Sequence, residues 1–149
     1  MSHHPKRELL VVHLWSVFLS IVLFAIHTVI LFGIADSLKG LSNMRGHITH
    51  VDLSGPLVIM AAFVVLFLTH LLEGAIWAWF LWRKRLLSTF GEAIYFSLTS
   101  FSAVGYGDVV LRPPWRAIGA IMAVNGLLLF GCSTAFLFVV MQGIWRLME

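Results

Sequence analysis

Charge is missing from most of this chain, and its absence is arranged in blocks. No Asp, Glu, Lys or Arg occurs over Leu9–Ala35, Leu53–Leu72 or Ala117–Trp145, runs of 27, 20 and 29 residues. About 20 apolar residues suffice to cross the hydrocarbon core of a bilayer, where every backbone amide must be satisfied within its own segment. The pattern therefore predicts an all-α membrane protein with three spanning helices, and the composition agrees. The chain is 60% hydrophobic, has a mean hydropathy of +0.94 and is only 11% charged, against roughly a quarter for soluble domains.

A fourth apolar stretch, Ala93–Gly107, has 15 residues. It is too short to span and suits a re-entrant segment. The expected order is a polar tail over 1–8, a first spanning helix over 9–35 and a loop over 36–52. A single unit over 53–149 follows, with an outer helix at 53–82, a short helix at 90–102 and a last helix at 115–148. The outer helix is longer than the core requires, so it should tilt or bend, and Gly74 could assist a bend. Trp77, Trp79 and Trp82 form an aromatic belt before Arg83-Lys84-Arg85. Ser88 or Thr89 can cap the short helix, with Glu92 in its first turn complementing the dipole.

Polar residues inside the spans are few. His70 and Glu73 lie three apart and share a face. An ionisable residue in a span is a functional hypothesis by default; here the expectation is a structural hydrogen bond, with His70 or backbone amides as partners of Glu73. His13 and His27 read as interfacial or helix-bonding residues. Asn125 is the one amide in the middle of the last helix, and Asn125 and Gly126 are candidates for lining a cavity or forming a hinge. His3 with His4 and His47 with His50 lack further nearby ligands. The single Cys132 gives no disulfide within the chain. The net charge is +3, but the basic residues flank spans rather than forming a patch, so nucleic acid is not an expected partner.

The most informative stretch is Thr99-Ser-Phe-Ser-Ala-Val-Gly-Tyr-Gly-Asp108. Stripping water from a cation requires a ring of oxygens brought close together. Backbone carbonyls can supply it if successive residues turn them towards one axis, and Gly105 and Gly107 can reach the positive φ this needs. Val104 and Tyr106 would then point away and wedge against the preceding helix. Asp108 would sit at the mouth and concentrate cations.

Val104-Gly105-Tyr106-Gly107-Asp108, with His70-Leu-Leu-Glu73, Trp77-Ala78, Tyr95-Phe-Ser-Leu98 and Asn125-Gly-Leu-Leu-Leu-Phe-Gly131, resembles the small bacterial potassium channels with two helices and a pore loop. The resemblance covers about residues 70–145 and leaves the first helix as an addition. It implies a homotetramer in the bacterial plasma membrane, passive K⁺ conduction and no cofactor beyond the permeant ion. The ion-binding residues would be Ala103, Val104, Gly105, Tyr106 and Gly107, supported by Asp108, Glu92, Ser100 and Ser102. The partners would be further copies of the chain, the lipid bilayer and monovalent cations.

Two features depart from that family. Ala103 stands where the family usually has threonine, so the innermost ion site lacks a hydroxyl and a weakly selective cation channel stays open as an alternative. The implied orientation also places Lys6, Arg7, Arg83, Lys84, Arg85, Arg112 and Arg116 outside, against Lys39, Arg45 and Arg146 inside, contrary to the positive-inside rule. This leaves a non-conducting membrane subunit or sensor as a further alternative. No nucleophile–base pair or phosphate loop suggests an enzyme.

Overall fold

The computed structural model describes residues 5–44 and 54–146. It is all-helical: α1 Pro5–Met44, α2 Ser54–Arg83, α3 Phe90–Phe101 and α4 Ala117–Arg146. Three helices are long and apolar enough to cross a membrane, over Leu9–Lys39, Gly55–Arg83 and Ala117–Arg146. The short helix α3 is not among them. The helix α1 runs past Ala35 to Met44, so 36–44 is helix where a loop was expected. No proline or paired glycine interrupts that stretch, and the helix continues into the polar residues. His3, His4, His47 and His50 lie outside the described residues.

The spanning helices bury most of their polar residues together with a narrow apolar stripe and turn the rest of their apolar residues outward. On α1, Val12, Ser16, Leu23 and His27 are buried, while Leu10, Leu14, Phe18, Ile21, Val29 and Phe32 are exposed. On α4 the buried stripe is Ile118, Met122, Asn125, Gly126, Leu129 and Ser133, spaced as one face of a helix. In water this would be inside out. In lipid the tails satisfy the apolar face; hydroxyls such as Ser16 and Thr69 bond a carbonyl one turn back on their own helix, and larger polar groups find partners between helices.

The register follows from the inter-helix contacts. Along α1, His13 stacks on Trp115 with ring centroids 6.4 Å apart, the Ser20 carbonyl accepts from Asn125 and His27 meets Ser133. These pairs advance together, so α1 and α4 run parallel. Against α2 the order reverses, with Trp15 under the Lys84 ammonium at 6.0 Å and His27 beside Glu73. The helix α1 leans mainly on α4 and touches α2 little. The short α3 sits between α2 and α4, held by close approaches at small residues. A side chain at Gly74 would meet Leu98 at 2.7 Å, and one at Gly119 would meet Phe96 at 3.2 Å. Gly74 thus serves packing against α3.

Candidate functional site: the loop after the short helix

The helix α3 starts at Thr89, whose hydroxyl accepts the Glu92 backbone N–H at 3.1 Å. It aims its C-terminal end at the 103–108 loop. Its last carbonyls are taken up by that loop: Ser102 N–H donates to Leu98, Ala103 N–H to Ser100 and Gly105 N–H to Thr99, at 3.0, 2.9 and 2.9 Å. The Ser102 hydroxyl adds a 2.6 Å bond to the Leu98 carbonyl, and the Thr99 hydroxyl donates back to Tyr95 at 3.0 Å. The loop is therefore anchored to a helix end through its own backbone.

Beyond the anchor the backbone alternates. Ala103, Gly105 and Gly107 have φ of 59°, 55° and 79°, while Val104 and Tyr106 between them are not left-handed. Such alternation lets successive carbonyls of an extended ribbon face one side. Ala103 takes the left-handed conformation at a cost of about 1 kcal/mol for an L-residue, and a β-branched residue there would be more strained. Backbone geometry thus gives Ala103 a reason apart from the missing hydroxyl. Val104 and Tyr106 do not wedge against α3 in the single chain. They are 55% and 72% exposed.

At the end of this loop, the Tyr95 hydroxyl donates to Asp108 Oδ2 at 2.7 Å, and Val109 N–H donates to Oδ1 at 3.0 Å. The Tyr95 bond, with help from Val109, holds the Asp108 carboxyl below its usual range. The same bond raises the Tyr95 phenol, since ionising it would remove the donor and set two anions together. Glu92 and Asp108 share a cleft with Arg83, Arg85 and Arg112. Ser100 and Ser102 stay on α3 and its cap.

A family model described as an ion channel matches residues 58–143. The chain belongs to the ion channel family. The matched stretch takes in almost all of α2, all of α3 with the loop after it, and most of α4; α1 precedes it. No curated protein and no solved structure gives a significant match.

The channel's buried polar residues are gathered away from the loop. Glu73, 1% exposed, places Oε1 3.0 Å from His27 Nδ1 and Oε2 3.1 Å from His70 Nδ1. Ser133 Oγ lies 3.0 Å from both His70 Nε2 and His27 Nε2. His70 is also stacked on Phe130 at 4.1 Å. His70 was expected beside Glu73; backbone amides are not its partners, and His27 and Ser133 are additional. The readable signal was Ser16, Ser20 and His27 on one helical face, which a lipid-facing surface would not carry.

Asn125 lines a cleft between α1 and α4 together with Val17, Ser20, Ile21 and Val124, while Gly126 does not. Asn125 is 4% exposed, accepts from Trp77 Nε1 at 3.3 Å and donates to the Ser20 carbonyl at 3.2 Å. Gly126 lies directly under the Phe101 carbonyl. The Asn125 amide and the Gly126 backbone are engaged by neighbouring helices, which a lone amide and a glycine in an apolar helix do not reveal. His13 bonds the Leu9 carbonyl at 2.7 Å, and Cys132 is half-buried.

Proposed function

We propose that the protein is a potassium-selective channel in which four copies surround one pore. The carbonyls of Ala103, Val104, Gly105 and Tyr106 replace the hydration shell of K⁺, with Gly107 completing the ribbon. Asp108 and Glu92 supply negative potential at the mouth, and Ser100 and Ser102 support the ribbon from α3. The observation that carries this reading is the alternation of left-handed residues at 103, 105 and 107 on a helix end. One ribbon cannot encircle an ion, and the exposed Val104 and Tyr106 need neighbours that further copies would supply. The site of action is the plasma membrane of a bacterium, and K⁺ is the permeant ion rather than a cofactor.

Ala103 favours one second reading, a filter that admits Na⁺ as well. Both are tested by ion flux from proteoliposomes of the purified chain. K⁺ efflux without Na⁺ efflux, abolished by Gly105→Ala, is the expected outcome. Equal flux of both ions establishes the loosened filter. No flux from folded, reconstituted protein refutes conduction through this loop.

A further inference from the structure

His27, His70, Glu73 and Ser133 close into a ring of contacts at 3.0, 3.1, 3.0 and 3.0 Å. Its members come from all three spanning helices and lie near the middle of each span. The groups that surround it are uncharged: α3 offers the Phe101 ring at 6.2 Å from His70, and α4 offers Phe130. Cys132 is the other titratable side chain nearby on α4, and its position next to Ser133 turns it about 100° away. Among the described residues, the titratable groups facing the ring are thus its own His27, His70 and Glu73.

The protons of this ring can be counted. Each hydrogen bond holds one proton between its two heavy atoms, so the four contacts need four. A carboxylate, two neutral imidazoles and a serine hydroxyl bring only three between them. With three, the single Ser133 proton reaches one Nε2, and the other Nε2 meets Oγ lone pair to lone pair. A further proton completes the ring in either of two ways. It makes one imidazole an imidazolium beside the carboxylate, or it moves round to leave a carboxylic acid donating to one Nδ1. Both arrangements have four protons and no net charge, whereas the three-proton ring is a buried anion at mid-membrane, where uncompensated charge costs most.

We propose that this ring is a binding site for one exchangeable proton per subunit, and that the bound proton fastens α1 to α2 and α4. A divalent metal ion is the competing occupant, since ligand atoms of His27, His70 and Glu73 lie within 4.8 Å of one another. It would leave a net charge of +1 in the bilayer centre, and the proton leaves none. The site shares no residue with the 103–108 loop and does not depend on potassium selectivity.

The proposal fixes a pH dependence. Above the ordinary histidine range, about pH 6.5, the unfolded chain carries two neutral imidazoles and a carboxylate, one proton fewer than the ring. Stability then falls as pH rises, by up to tenfold per pH unit in the unfolding equilibrium. Below that range the separated histidines both charge, the unfolded chain binds the extra proton, and stability falls again.

Glu73→Gln separates this account from its rivals. A carboxamide accepts from one Nδ1–H and donates to the other Nδ1, so all four contacts are satisfied with no added proton and no charge. The channel in lipid nanodiscs is unfolded thermally in a pH series from about 6.5 to 9.5, and proton release on unfolding is measured in weak buffer near pH 8. The variant is expected to fold, to lose the alkaline fall in stability shown by the parent, and to release one proton fewer per subunit. A variant that fails to fold, or that keeps the alkaline fall, overturns the proposal. So does stoichiometric Zn²⁺ binding by the parent that the variant loses.

Discussion

Replacing Gly126 by alanine is the sharpest test of how α3 is held. A Cβ on Gly126 would fall on the Phe101 carbonyl oxygen, with the Phe101 carbonyl carbon at 2.7 Å and its Cα at 3.2 Å. Ordinary carbon contacts lie at about 3.5–4.0 Å, so the carbonyl carbon alone requires α4 and the end of α3 to part by about 1 Å, and the closer oxygen requires more. All three obstacles are main-chain atoms, so no rotamer change relieves the clash. Phe101 cannot tilt away freely either, because its ring is 1% exposed and packed on Phe130 with centroids 5.6 Å apart. Overpacking of a well-packed core costs about 1–3 kcal/mol, and a backbone obstacle belongs at the upper end. At about 2–4 °C per kcal/mol, the unfolding midpoint in lipid should drop by roughly 6–12 °C. Phe101 stands two residues before Ala103, so ion flux should fall with it. Gly33→Ala is the control: nothing lies within 4 Å of its added carbon, and alanine is the better helix former by about 0.8–1 kcal/mol. A Gly126→Ala channel with an unchanged midpoint and unchanged flux would refute the close approach.

Asn125→Leu should cost about 1–3 kcal/mol, because it keeps the branched heavy-atom shape but leaves the buried Trp77 N–H without an acceptor; thermal unfolding and a change in Trp fluorescence check this. Tyr95→Phe removes the donor that depresses Asp108, so the carboxyl should titrate closer to its ordinary value. In the parent the Tyr95–Asp108 bond is present at neutral pH. It is lost as pH falls through the depressed carboxyl value, and again as pH rises through the raised phenol value. An acid limb in single-channel current should therefore move to higher pH in Tyr95→Phe, and an unmoved limb would exclude Asp108 as its source.

The number and place of the spanning helices were legible in the sequence because the bilayer imposes a one-dimensional rule. Each crossing needs its own uncharged run, whatever its neighbours do. Thr89 and Glu92 likewise marked the start of α3, and the glycines at 105 and 107 marked the left-handed turns, since caps and positive φ are local requirements. The left-handed Ala103 had no such mark, and its conformation comes from the bonds that tie 102–105 to the end of α3.

What the sequence could not decide is which polar residues meet. His27 and Glu73 are 46 positions apart, and His27 and Ser133 are 106 apart; their meeting depends on the register of α1, parallel to α4 and antiparallel to α2. The same holds for Asn125, whose amide is bound to Trp77 and Ser20 on two other helices. Composition and period fix which face of a helix avoids lipid. Only side-chain packing between helices fixes its rotation and its offset along the neighbour, and a buried hydrogen bond survives neither an error of one turn in the offset nor a different face.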